Sequence, residues 1–128
     1  MTKKNIMIVD DSDEILMELK ALLEENSFNV LEFESSQKAA EHISDKEEDI
    51  SLFIFDYHMP IMNGLELCER VRQNKAFENT PIFMLTSERN YELIKKGKEK
   101  YGTQWMIKPL NPPVLIKHIS QLVEQKIA

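Results

Sequence analysis

Five residues that could carry chemistry each follow a short apolar stretch of the sequence: Asp10, Asp11, Asp56, Thr86 and Lys108. Three carboxylates brought together repel one another unless a cation lies among them. Such oxygen ligands suit Mg²⁺, with Mn²⁺ as an alternative, and Mg²⁺ keeps several waters beside its carboxylate and phosphate ligands. An aspartate can accept a phosphoryl group once this charge is neutralised, and a lysine adds positive charge. The residue types therefore favour phosphoryl transfer to a carboxylate.

The apolar stretches predict five buried strands, and the amphipathic stretches between them predict five helices. The predicted strands cover residues 6–9, 29–33, 52–55, 82–85 and 105–107. Strict alternation implies an α/β sheet of parallel strands with right-handed crossovers. Ligands bind beyond the carboxyl ends of strands in such sheets, so we expect the five polar residues to converge at one edge.

Individual residues predict where some of the helices and strands begin. Asp11 or Ser12 is the expected N-cap of the first helix, and Pro81 is expected as the first residue of the fourth strand. The fourth helix is predicted over residues 88–101, where Gly97 weakens it by about 1 kcal/mol relative to alanine. Cys68 is expected on the inner face of the third helix rather than in redox chemistry.

Composition limits the function classes that the chain can serve. The 128 residues suffice for one domain, which we expect to span 1–128. The net charge of −6 disfavours non-specific binding to nucleic acid or to an anionic membrane surface. A single cysteine fits a reducing compartment, and the apolar runs are too short to cross a membrane. A cytoplasmic location is therefore predicted.

Four segments together resemble the CheY-like response-regulator receiver domains. They are IVDDS at 8–12, IFDYHMPIMNG at 54–64, MLTS at 84–87 and the pair Lys108-Pro109. All four fall in order at the ends of predicted strands. The resemblance spans nearly the whole chain and implies a flavodoxin-like, doubly wound sheet of five parallel strands in the order 2-1-3-4-5 with five helices.

The resemblance also implies a role for each acidic residue. Asp56 corresponds to the phospho-acceptor of two-component signal transduction. Asp11 and Asp56 would ligate Mg²⁺ directly together with the backbone carbonyl of His58. Asp10 would act through a water molecule.

Signal transmission is implied at three further positions. Lys108 would pair with the phosphoryl oxygens or, before phosphorylation, with Asp56. Thr86 would swing to bond the phosphoryl group, after which a linked aromatic turns inward. Trp105 aligns with that aromatic and is bulkier than the usual tyrosine or phenylalanine. His58 and Glu88 occupy variable positions that tune phosphoryl lifetime in the family.

The implied partners are proteins. A histidine kinase or histidine phosphotransferase would donate the phosphoryl group, and a target protein would bind the face formed by the fourth helix, fifth strand and fifth helix. A lysine cluster lies in the predicted fourth helix at Lys95, Lys96, Lys98 and Lys100. The implied state is a monomer, with phosphorylation-dependent dimerisation as the alternative. The chain would not be a classical enzyme, although it would assist its own phosphotransfer and dephosphorylation.

Several other readings of the same residues stay open. The chain could be a receiver excised from a larger response regulator or hybrid kinase, or a phosphorelay intermediate. A Mg²⁺-dependent phosphatase with an aspartate nucleophile also fits the acids, but such enzymes need a second aspartate where this chain has His58. A phosphate-independent pseudo-receiver would usually have lost one of the site residues.

Overall fold

The computed structural model describes residues 3–45 and 49–127. One parallel sheet in the order β2-β1-β3-β4-β5 forms its centre, which confirms the predicted fold and strand order. The strands are β1 Asn5–Val9, β2 Asn29–Phe33, β3 Ile50–Phe55, β4 Ile82–Thr86 and β5 Gln104–Ile107. The helices are α1 Asp13–Glu25, α2 Ser36–Asp45, α3 Gly64–Gln73, α4 Tyr91–Tyr101 and α5 Pro112–Ile127, with a short 3₁₀ turn at Lys75–Phe77.

The sheet is buried on both faces, because side chains of a strand alternate between them. One face packs against α1 and α5 through residues such as Ile8, Leu19 and Ile119. The other packs against α2 and α3 through residues such as Phe53 and Leu67. The central strands β1, β3 and β4 are almost wholly buried, so their carboxyl ends are fixed in position.

Strand β3 begins at Ile50, two residues before the predicted start. The sequence does not predict this extension, because the polar Ser51 interrupts the apolar run. In the structure Ser51 is buried in the strand. Pro81 lies just before β4 rather than in it, and its carbonyl accepts the N–H of Phe53 at 3.1 Å. The prediction that Pro81 opens the strand is therefore wrong by one residue.

Helix α4 begins at Tyr91, not at Glu88 as predicted. The Glu88 carboxylate accepts the backbone N–H groups of Arg89 at 3.0 Å and Asn90 at 2.8 Å. Asn90 is the N-cap, and its side chain accepts the N–H of Leu93. These side-chain contacts hold residues 88–90 as a loop, since they satisfy the donors that a helix would otherwise leave free. In the part of the chain that the structure describes, every helix is too short or too polar to cross a membrane.

Candidate functional site

The predicted site residues lie at the carboxyl edge of the sheet, as expected. Asp10 and Asp11 follow β1, Asp56 follows β3, Thr86 ends β4 and Lys108 follows β5. One carboxylate oxygen from each of the three aspartates lies within 4.8 Å of the others. Asp10 and Asp56 are buried, whereas Asp11 is exposed. The cluster therefore reaches solvent through Asp11.

Asp10 is fixed by a contact at each of its carboxylate oxygens. Its Oδ1 accepts the N–H of Ser12 at 3.0 Å, and its Oδ2 accepts Lys108 Nζ at 2.9 Å. Burial raises the pKa of Asp10, and the hydrogen bond from Lys108 opposes that rise. Ser12 is the N-cap of α1, which decides between the two predicted caps. Lys108 therefore favours the charged form of Asp10, against the effect of burial.

Asp56 presents one oxygen to the backbone and one to the cluster. Its Oδ1 accepts the N–H of Tyr57 at 2.8 Å, while its Oδ2 lies 3.6 Å from Lys108 Nζ. The Asp56 N–H donates to the Val9 carbonyl at 3.0 Å, which ties the end of β3 to β1. The pairing of Lys108 expected from the family is with Asp56, but the shorter contact is with Asp10. The Lys108 ammonium therefore contacts both carboxylates rather than pairing with Asp56 alone.

The loop after Asp56 requires a glycine at position 64, where it packs against the end of β3. The Gly64 N–H donates to the Tyr57 carbonyl at 2.8 Å, which closes the loop back on the strand end. A Cβ at Gly64 would stand 2.3 Å from the Asp56 carbonyl oxygen, so no larger residue fits. Asn63 and Glu66 form a capping box that starts α3 at this point.

A contact that sequence reasoning missed links the loops after β3 and β4. His58 Nε2 lies 2.8 Å from Glu88 Oε1. The buried Thr86 Oγ1 accepts the Glu88 N–H at 3.2 Å, so the same loop also reaches the predicted switch residue. Backbone hydrogen bonding from Asn90, then the His58 contact, lowers the pKa of Glu88. The sequence does hold a signal for this contact. His58 and Glu88 each stand two residues after a polar residue at a strand end, so both lie in loops at the same edge of the sheet.

Trp105 lies on the face of the sheet that carries α4. Its half-buried indole donates from Nε1 to Thr103 Oγ1 at 2.7 Å. Its Cζ2 is close enough to Gly97 that a Cβ there would come within 2.9 Å. The predicted switch aromatic is therefore in contact with α4.

The donor set fits a hard divalent cation. Three carboxylates are clustered and one ammonium contacts two of them, so the cluster favours a bound cation. His58 directs its imidazole toward Glu88, which leaves its backbone carbonyl as the group expected at the cation. The arrangement can hold an anionic phosphoryl group against positive charge beside Asp56 Oδ2.

Comparison with known proteins identifies the family. A match to the response regulator receiver domain covers residues 6–120. The chain belongs to the response regulator receiver family. It is 32% identical to the chemotaxis protein CheY homolog of Campylobacter jejuni over 119 residues, covering 92% of this chain and 91% of that protein. It is also 32% identical to chemotaxis protein CheY1 of Helicobacter pylori over 111 residues, covering 86% and 89%.

Solved structures agree with this membership. The chemotaxis protein CheY4 of Vibrio cholerae superposes with a TM-score of 0.86 at 29% identity, covering 94% of this chain and 99% of that one. Some relatives are longer: the chain covers 54% of the phosphate regulon regulator PhoB of Pseudomonas aeruginosa. The chain is thus a CheY-like receiver domain of two-component signal transduction. Receivers are signalling proteins rather than classical enzymes, and the phosphatase reading is not favoured.

Proposed function

We propose that Asp56 is the phospho-acceptor of this receiver and that a histidine kinase or histidine phosphotransferase is its donor. An Asp56 carboxylate oxygen attacks the phosphorus, and a P–O bond forms as the P–N bond to the donor histidine breaks. The electron pair of the broken bond stays on the histidine nitrogen. The observation that carries the proposal is the position of Lys108, whose ammonium lies 2.9 Å from Asp10 and 3.6 Å from Asp56.

Mg²⁺, or Mn²⁺ in its place, would be held by Asp11, Asp56 and the His58 carbonyl, with Asp10 acting through a water. The bound ion supplies positive charge against the oxygens of the transferring phosphoryl group. Asp10 already accepts two hydrogen bonds and is buried, which suits an outer position. The same charge would assist both phosphotransfer to Asp56 and hydrolysis of the product.

Thr86 is the proposed switch, and Trp105 occupies the position of the aromatic that accompanies it in the family. The proposed output face consists of α4, β5 and α5 and would bind a target protein. Residues 1–128 would act as one receiver domain in the cytoplasm, alone or within a longer response regulator or relay protein. The likeness to chemotaxis CheY proteins supports this assignment, and a monomer is the proposed resting state.

The test is intact-mass spectrometry after incubation with acetyl phosphate, with and without Mg²⁺. We expect a gain of one phosphoryl group that requires Mg²⁺ and is absent in Asp56→Asn. A label that persists in Asp56→Asn would place the acceptor elsewhere. If no label forms, binding of beryllium fluoride separates rapid hydrolysis from a failed site. A protein that binds neither reagent would be a phosphate-independent module, against the proposal.

A further inference from the structure

Helix α4 is most deeply buried in its second half, although Leu93 in its first half also packs against the core. Gly97 is its one fully buried residue, while Leu93 and Ile94 near the other end are half-buried. Most helical stability in proteins comes from packing an apolar face, and α4 has little of one. Specific contacts hold its C-terminal end in addition to this burial.

Arg72 of α3 provides the main contact at that end. Its Nε and Nη2 donate to the carbonyl of Tyr101, the last residue of α4, at 3.1 and 2.9 Å. Its Nη1 donates to the carbonyls of Phe77 and Thr80 at 2.8 and 2.6 Å. The last carbonyls of a helix lack intrahelical partners and carry partial negative charge, so a guanidinium there is favourable. Arg72 thus attaches the end of α4 to α3.

Trp105 supports α4 one turn before that end. A Cβ at Gly97 would stand 2.9 Å from Trp105 Cζ2 and 3.0 Å from Leu65 Cδ2, so the helix backbone rests directly on both side chains. The indole N–H is satisfied by Thr103 Oγ1 at 2.7 Å. A half-buried tryptophan with its polar atom bonded and its ring packed has little reason to change rotamer.

The N-terminal end of α4 is connected to the proposed switch instead. Thr86 Oγ1 accepts the Glu88 N–H, and the Glu88 carboxylate accepts the Asn90 N–H that leads into the helix. If the Thr86 hydroxyl turns toward a phosphoryl group on Asp56, its bond to Glu88 must be rearranged. That rearrangement acts on the start of α4 and not on its end.

We propose that phosphorylation pivots α4 about the end held by Arg72, and that Trp105 is a fixed support rather than an aromatic that turns. Arg72 and Thr103 are then positioning residues, and the output change is concentrated in the first half of α4, around the exposed Tyr91. This inference rests on the proposed function, because it takes its driving movement from Thr86 and a phosphorylated Asp56.

Hydrogen exchange on the unaltered protein tests the pivot, with Mg²⁺ and beryllium fluoride as the activating probe. We expect exchange to change by about fivefold or more in residues 87–95 and by less than about twofold in 97–102. A uniform change along α4, or one centred on its last turn, would overturn the pivot. A missing response in the loop after Asp56 would show that the reagent does not bind, which contradicts the proposed function itself.

Trp105 is the only tryptophan, so its indole N–H signal and fluorescence need no assignment by mutation. We expect acrylamide quenching to stay within about a fifth of its resting value on activation, because the N–H bond to Thr103 persists. Thr103→Val, which removes the acceptor, should allow a change of about twofold. A comparable change in the unaltered protein would show that the ring turns and would refute the fixed support.

Arg72→Lys tests the hinge residue, with Arg70→Lys on the exposed side of α3 as its control. Lysine keeps the charge but cannot direct two donors at the Tyr101 carbonyl while holding the other two. We expect the activation-dependent change in exchange to extend into residues 97–102, with labelling by acetyl phosphate within about twofold of normal. The same pattern as in the unaltered protein would show that Arg72 is not the hinge. If this variant does not fold, the measurements on the unaltered protein still decide the proposal.

Discussion

Replacing Lys108 by glutamine should destabilise the metal-free domain by about 2 kcal/mol. The change removes a charge-assisted hydrogen bond to Asp10 and a neighbouring charge at Asp56. Hydrogen bonds to charged groups contribute about 1.5–3 kcal/mol, and removing one partner of a fully buried ion pair costs about 3–5 kcal/mol. The Lys108 side chain is 18% exposed, so its ion pair is not fully buried. The expected loss therefore lies in the range for a hydrogen bond to a charged group rather than in the range for a fully buried ion pair.

The same substitution should lose most of its effect when Mg²⁺ is bound. At the proposed site the ammonium and Mg²⁺ would compete for the same carboxylates, so the variant should bind Mg²⁺ more tightly than the unaltered protein. A tenfold gain in affinity would return about 1.4 kcal/mol of the loss at saturation. Urea unfolding with and without saturating Mg²⁺ measures both quantities through the midpoint at constant slope.

Lys117→Gln is the matched control, since Lys117 is an exposed lysine of α5. It should change the free energy of unfolding by less than about 0.5 kcal/mol in either condition. An equal loss for Lys108→Gln with and without Mg²⁺ would refute the reasoning, because the role of Lys108 would then be packing rather than charge.

Three further outcomes follow from individual residues. Asp11→Ala should weaken Mg²⁺ binding by about tenfold or more in calorimetry and slow labelling by acetyl phosphate, because a proposed ligand is lost; unchanged affinity would count against the site. Ile61 has a φ of 73° and is 79% exposed, so Ile61→Asn should stabilise the domain by about 1 kcal/mol in urea unfolding, whereas Ile61→Val should not. Burial raises the pKa of Cys68 to about 12, so at pH 8 iodoacetamide should label the denatured protein within minutes and leave the native thiol unmodified; rapid native labelling would contradict the burial.

The sheet and the site edge could be predicted from the sequence because they depend on coarse patterns. Apolar runs of four or five residues locate buried strands, and parallel strands bring the residues that follow them to one edge. Asp10, Asp11, Asp56 and Lys108 come together for that reason alone.

Other features could not be predicted because they depend on rotamers and on backbone acceptors. Whether Lys108 lies closer to Asp10 or to Asp56 is a difference of less than an ångström. Arg72 bonds to carbonyl oxygens, which every residue carries, so no sequence pattern marks its partners. Glu88 displaced the start of α4 by satisfying backbone donors locally, and such side-chain competition defeats propensity at helix ends.

The bond between Lys108 and Asp10 joins residues that are 98 positions apart in the sequence. Asp56, the proposed acceptor, follows a third strand that lies between them in the sequence, so the site does not exist until the first and last strands have joined the same sheet. During synthesis on the ribosome, a chain that lacks β5 contains Asp56 but not Lys108, whose ammonium lies beside Asp56 in the folded domain. Competence to receive a phosphoryl group is therefore expected to report that the whole domain has folded, and incomplete or unfolded copies would stay silent in the pathway.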